Sequence, residues 1–129
     1  MIKLKDDSQK LKKEWEDLRF RNLKLYEITL EYTRISNILF GLDTVITDIF
    51  RTDDEHRNNL LKAKAVYYPS VHCYWRGVDV RDTELKDWQK EVLLLCINNT
   101  YKYDIKKPEK RTLIYHDIGL GSHGHLQTS

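Results

Sequence analysis

The chain carries only two cysteines, Cys73 and Cys96, in 129 residues. A disulfide framework needs more, so the fold must rest on its core, and the plain reading is synthesis in a reducing, cytoplasmic compartment. Net charge is nearly absent as well. The 22 Lys and Arg stand against 20 Asp and Glu, which leaves +2. A dedicated nucleic-acid binder shows a clustered basic excess, so no nucleic-acid partner is expected. No apolar run approaches the length of a membrane span. The segment Met1-Ile2-Lys3-Leu4-Lys5-Asp6-Asp7 has no signal-peptide apolar region, so nothing in it directs export by the usual route. Internal repeats and Gly-rich phosphate loops are lacking too.

What is present suits one α+β domain. A hydrophobic content of 40%, with three Trp, eight Tyr and three Phe, is enough for a real core. Residues 8–38 read as one long helix. Leu4, Leu11, Leu18 and Leu25 recur every seven residues, with Trp15 and Tyr32 nearby. That stripe predicts a helix laid on the core. A homodimer seam through the same helix is the second reading, although Ser8, Asn22 and Thr29 are poor companions for one. Gly41-Leu42-Asp43 breaks the helix, and Thr44 to Phe50 reads as a strand. Thr52 and Glu55 form a capping box for a short helix through about Lys64. Tyr67-Tyr68-Pro69 is a loop, and Val78 to Arg81 a strand. Asp82-Thr83 is read as the cap of a helix whose buried face is Leu85, Trp88, Val92 and Leu95. After a basic loop from Tyr101 to Lys110 come a strand from Arg111 to Ile118, a turn at Gly119-Leu120-Gly121, and a last strand from His123 to Thr128. The predicted architecture is a small antiparallel sheet with packed helices.

Two fragments carry chemistry. The first is Ser70-Val71-His72, followed by Cys73-Tyr74-Trp75-Arg76-Gly77-Val78-Asp79, a Ser-x-His-x6-Asp pattern. The second is Ser122-His123-Gly124-His125-Leu126-Gln127. Residues two apart in a strand share a face, so His123 and His125 would point the same way. Two imidazoles and a carboxylate suit Zn²⁺, which leaves its fourth position for water in catalytic sites. In an extended strand Cys73 would face away from His72, outside such a site.

These fragments resemble the zinc site shared by D-Ala-D-Ala peptidases and the hedgehog signalling domain. The likeness covers roughly residues 38–129. It divides the chain into an N-terminal helical segment, residues 1–40, and a zinc peptidase-like core, residues 41–129. It implies His72, Asp79 and His125 as metal ligands, with His123 either behind the ligands or hydrogen-bonded to the transition state. Thr44-Val45-Ile46-Thr47-Asp48-Ile49-Phe50-Arg51-Thr52 resembles the family's early strand, which ends in an arginine facing the substrate, a role that falls to Arg51. The implied activity is hydrolysis of an amide near a free carboxylate in a peptidoglycan stem peptide, as in a phage or prophage lysis protein that acts at the cell wall. The same fold also allows a non-catalytic zinc-binding interaction domain. The chain departs from the family at two places. Trp75 stands where the family has Gly, and no Glu precedes His125. Asp117 is the nearest carboxylate, and it is the expected general base, with Glu109 farther back in the Pro-containing loop.

Overall fold

Asn22 divides what the leucine repeat presents as one helix. A computed structural model of the chain describes residues 1–117 and 121–129. It begins with a short strand, β1 (Ile2–Leu4), and a 3-10 turn (Lys5–Asp7). Helix α1 (Gln9–Arg21) follows, capped by the Ser8 hydroxyl, which accepts from the Leu11 amide. At Asn22 the backbone is extended, and its side-chain oxygen caps a new helix, α2 (Leu23–Phe40), by accepting from the Leu25 amide. The Asn22 side-chain nitrogen donates to the Trp75 carbonyl at 3.0 Å and to Thr128 Oγ1 at 2.8 Å. The single long helix therefore does not form. Asparagine competes for its own backbone in this way, and here distant acceptors reward the break. Leu11, Leu18 and Leu25 are buried in the same apolar cluster as the sheet. Gly41 ends α2 in the left-handed conformation (φ 67°), as its lack of a side chain allows.

Four further elements build the sheet and one helix lies beside it: β2 (Thr44–Asp48), α3 (Asp53–Lys62), β3 (Gly77–Val80), β4 (Leu113–Asp117) and β5 (Ser122–Gln127). Thr52 and Glu55 form the expected capping box on α3. The sheet order is β1-β2-β3-β5-β4, antiparallel except for the β1–β2 pair. Helix α4 (Asp87–Thr100) starts later than its apolar pattern suggests. Asp82 is not its cap. Buried, it accepts from Ser122 Oγ at 2.7 Å and pairs with Lys90 at 3.3 Å. Leu93 and Ile97 are the fully buried face of α4, while Trp88 and Leu95 are exposed. Ile118 and the turn residues Gly119 and Leu120 lie outside the described residues.

Strand alternation sorts the sheet into two faces. Val78, Val80, Leu126 and Leu113 enter the apolar cluster with α1, α2 and α4. Tyr115 packs against that cluster, its hydroxyl 2.8 Å from that of Tyr32. Burial pushes the Tyr32 phenol up to about 12. Asp79, Ile114, His116, His123 and His125 have the opposite parity and line a cleft on the other face.

The break at Asn22 should be a stability determinant. Asn22→Ala removes a helix cap and two tertiary hydrogen bonds, so it should cost about 2 kcal/mol in urea unfolding. A loss below about 0.5 kcal/mol would show that packing alone holds the break.

Candidate metal centre

Asp79 is the centre of the site. Its β3 position pairs directly with His125 on β5, which places the carboxylate beside the imidazole. A register shift in the β2–β3 pairing, between Ile46 and Asp48, brings Asp48 opposite Asp79 as well. Two facing carboxylates need a cation. Arg51 provides it, with Nη2 at 2.5 Å from Asp48 Oδ2 and 3.5 Å from Asp79 Oδ2. Arg51 is buried, and its Nη1 lies 3.5 Å from His56 Nδ1.

Three histidines approach the other oxygen, Asp79 Oδ1. His125 Nδ1 lies at 2.7 Å, His72 Nε2 at 3.2 Å and His123 Nε2 at 3.5 Å. The outer nitrogens decide what the inner ones can do. His72 Nδ1–H donates to the Ile49 carbonyl at 2.9 Å. His125 Nε2–H donates to Gln127 Oε1 at 3.2 Å, and the Gln127 amide is held in that orientation by donating to the Arg111 carbonyl at 2.7 Å. In the neutral rings, His72 Nε2 and His125 Nδ1 therefore carry lone pairs aimed at a carboxylate oxygen. Acceptors face acceptors, so a positive ion belongs among them. These outer hydrogen bonds are the kind that fix ligand histidines around metals.

His72, Asp79 and His125 are all buried, and their ligand atoms lie within 4.8 Å of one another. This group could hold a metal ion. For tetrahedral zinc, bond lengths near 2.0–2.1 Å put ligand atoms roughly 3.3 Å apart, close to the 3.2 Å between His72 Nε2 and Asp79 Oδ1. Without a metal, a proton takes the ion's place. Burial acts against the charged form of His72, but the Asp79 carboxylate outweighs it and raises the pKa. Burial likewise acts to raise Asp79, but His72 and His125 hold its carboxyl well below the usual range.

Local structure explains the spacing. His72 sits in a 3-10 turn (Val71–Tyr74), not in a strand, so Cys73 is half-buried and is not one of the grouped ligands. Ser70 caps the turn by accepting from the His72 amide at 3.2 Å. The turn ends at Trp75, in the left-handed conformation (φ 58°). Glycine suits such a position better than a residue with a side chain. Trp75 tolerates it because its indole stacks on Phe50 at 4.7 Å and Arg21 lies over the ring at 5.5 Å. At Gly77 a Cβ would come within 2.7 Å of Val71, 3.0 Å of His125 and 3.2 Å of His72. The glycine lets the two rings approach the start of β3.

Arg51 and His123 border the same cleft of about 250 Å³, whereas Asp117 does not. Asp117 has the strand parity of Leu113 and Tyr115, away from the cleft, is exposed, and accepts from the Gly121 amide at 3.2 Å. The expected base is thus not brought to the site, and Glu109 does not line the cleft either. His116 does. Its Nε2 lies 3.1 Å from His123 Nε2, and His123 Nδ1–H donates to the Gly121 carbonyl at 3.2 Å. Burial and the charges of His125 and His123 lower the His116 pKa. His116, His56, Gln127 and Gly77 were not distinguishable as site residues by type. Only the parity of β4 marks His116. Compared with protein-family models, curated proteins and solved structures, the chain matches none of them.

Gly77→Ala should keep the fold and weaken metal binding at least tenfold, the scale of a displaced ligand shell, as read by competition with a chelating dye. Unchanged affinity would mean that the rings do not need this approach. Metal binding should also track pH. A metal must displace the His72 proton, so Kd should tighten about tenfold per unit as pH rises through the range below the raised His72 pKa, and level off above it. A flat Kd over that range would show that no proton is displaced.

Proposed function

We propose that the protein is a zinc-dependent peptidase acting on stem peptides of bacterial cell walls, consistent with a phage or prophage lysis role. The observation that carries this reading is the pair of histidine lone pairs held by outer hydrogen bonds toward one buried carboxylate, beside a cleft. His72, Asp79 and His125 would hold the ion. When bound, zinc supplies Lewis-acid polarisation and hydroxide at neutral pH. Arg51 lines the cleft, so its positive charge would attract an anionic group of the substrate. His123 Nε2 accepts from His116 Nε2–H in the neutral pair. With that lone pair filled, His123 Nε2 could donate to a developing oxyanion only after His116 moved its own proton to Nδ1.

One observation favours a second reading. Asp79 is the only carboxylate lining this cleft among the described residues. A metal-binding interaction domain needs no base, and it fits that lining equally well. The substrate, the peptidoglycan partner and the site of action at the wall belong to the first reading only. No helix among the described residues is long and apolar enough to cross a membrane.

Protein purified without added metal should contain about one zinc, and a hundredfold excess of zinc over Kd should add about 2.7 kcal/mol of stability. His125→Ala should abolish that gain. The zinc-loaded wild type should release fragments from a muropeptide. Zinc binding without cleavage would select the interaction domain, and no zinc at all would remove both readings.

A further inference from the structure

Two clefts meet at the ligand group. The first reaches from Lys110 and Ile114 to Arg51, Asp79 and His123. The second begins at the same three residues and continues to Thr47, Asn59 and Thr83. It is the larger, about 440 Å³ against about 250 Å³. Asp79 therefore borders both clefts among the described residues, and a path through the two would pass it.

The walls explain the path. On one side lie β4 and the 3-10 turn that carries His72. On the other lie the end of β2, the residues after β3, and α3, which contributes Asn59. An enzyme that removes a terminal residue needs a wall just beyond the scissile bond, with a cation to hold the terminal carboxylate. Arg51 is the cation at the junction, but Asp48 and Asp79 share its Nη2 and His56 its Nη1. Both hydrogens of Nη2 are taken, and each bidentate fork of a guanidinium uses one of them, which rules out a free fork, and the second cleft continues past this residue. Thr83 is exposed within that cleft.

We infer that the substrate is an extended peptide lying through both clefts, cut at an internal bond. The activity is thus that of an endopeptidase, not removal of a C-terminal residue. The inference rests on the peptidase reading and specifies its substrate.

The test compares a stem pentapeptide as free acid with its C-terminal amide, using zinc-loaded full-length protein and mass spectrometry of the products. Internal fragments should appear from both peptides at similar rates. Thr83→Trp fills the second cleft from an exposed position. It should lower cleavage of the amide about tenfold, because truncated contacts to a substrate lower kcat, and leave zinc content unchanged. It should also weaken binding of a fluorescent stem peptide to the zinc-free protein. Release of a single terminal residue from the free acid alone, with Thr83→Trp silent in both assays, would overturn the inference and keep the peptidase. No cleavage of either peptide by protein full of zinc would remove the peptidase reading and this inference with it.

Discussion

A carboxylate buried in the middle of a sheet sets the terms for everything around it. Asp79 is taken out of water at the centre of β3, and an unpaired charge there would cost several kcal/mol. The structure answers with groups from every nearby element. His125 comes from β5, His72 from the 3-10 turn, and Arg51 from the segment after β2. Each answer imposes its own requirement. Arg51 can sit between two acids only because the β2–β3 register shift places Asp48 opposite Asp79. The two rings can both reach Oδ1 only because Gly77 has no side chain to hold them off. Their outer nitrogens are already committed to Ile49 and Gln127. What is left is a set of acceptors with one positive charge to accommodate, so the group could hold a metal ion.

The His72, Asp79 and His125 group was named through a family resemblance, and local geometry accounts for how the three residues meet. Strand parity fixes which residues of β3 and β5 share a face, and the β3–β5 pairing places Asp79 against His125. The same rule, carried one strand further, selects His116 over Asp117. Leu113 and Tyr115 turn to the helices, so His116 must turn to the cleft and Asp117 away from it. Asp117, expected from its chemical type, does not line the cleft. The helices were harder for a physical reason. Helix α4 carries Val92, Leu93, Leu94 and Leu95 in succession, so its pattern offers more than one apolar face. Only the sheet decides that Leu93 and Ile97 face inward. Strand β1 is three residues long and gains its identity from pairing with β2, which local sequence does not encode.

The N-terminal leucines illustrate the limit of periodicity. A seven-residue repeat reports a face, not continuity. Leu11, Leu18 and Leu25 do share a face of the core, yet Leu25 belongs to a different helix from the other two. The break depends on acceptors 53 and 106 residues away in sequence. No window along the helix contains them.

That same amide links the N-terminal helices to the site. Asn22 holds the Trp75 carbonyl, at the end of the turn that carries His72. It also holds Thr128, just after the strand that carries His125. Thr128 in turn donates its backbone N–H to the Arg76 carbonyl at 3.0 Å. The two ligand-bearing segments therefore meet at one side chain from a third segment. Trp75 must hold a left-handed backbone there, at a cost of about 1–2 kcal/mol for a residue other than glycine. Phe50, Arg21 and Asn22 offset that cost from three directions. The sequence before residue 41 thus supports the His-Asp-His group through the segments that carry it. It fixes the turn from which His72 reaches Asp79, and a site assembled from residues 41–129 alone would lack that support.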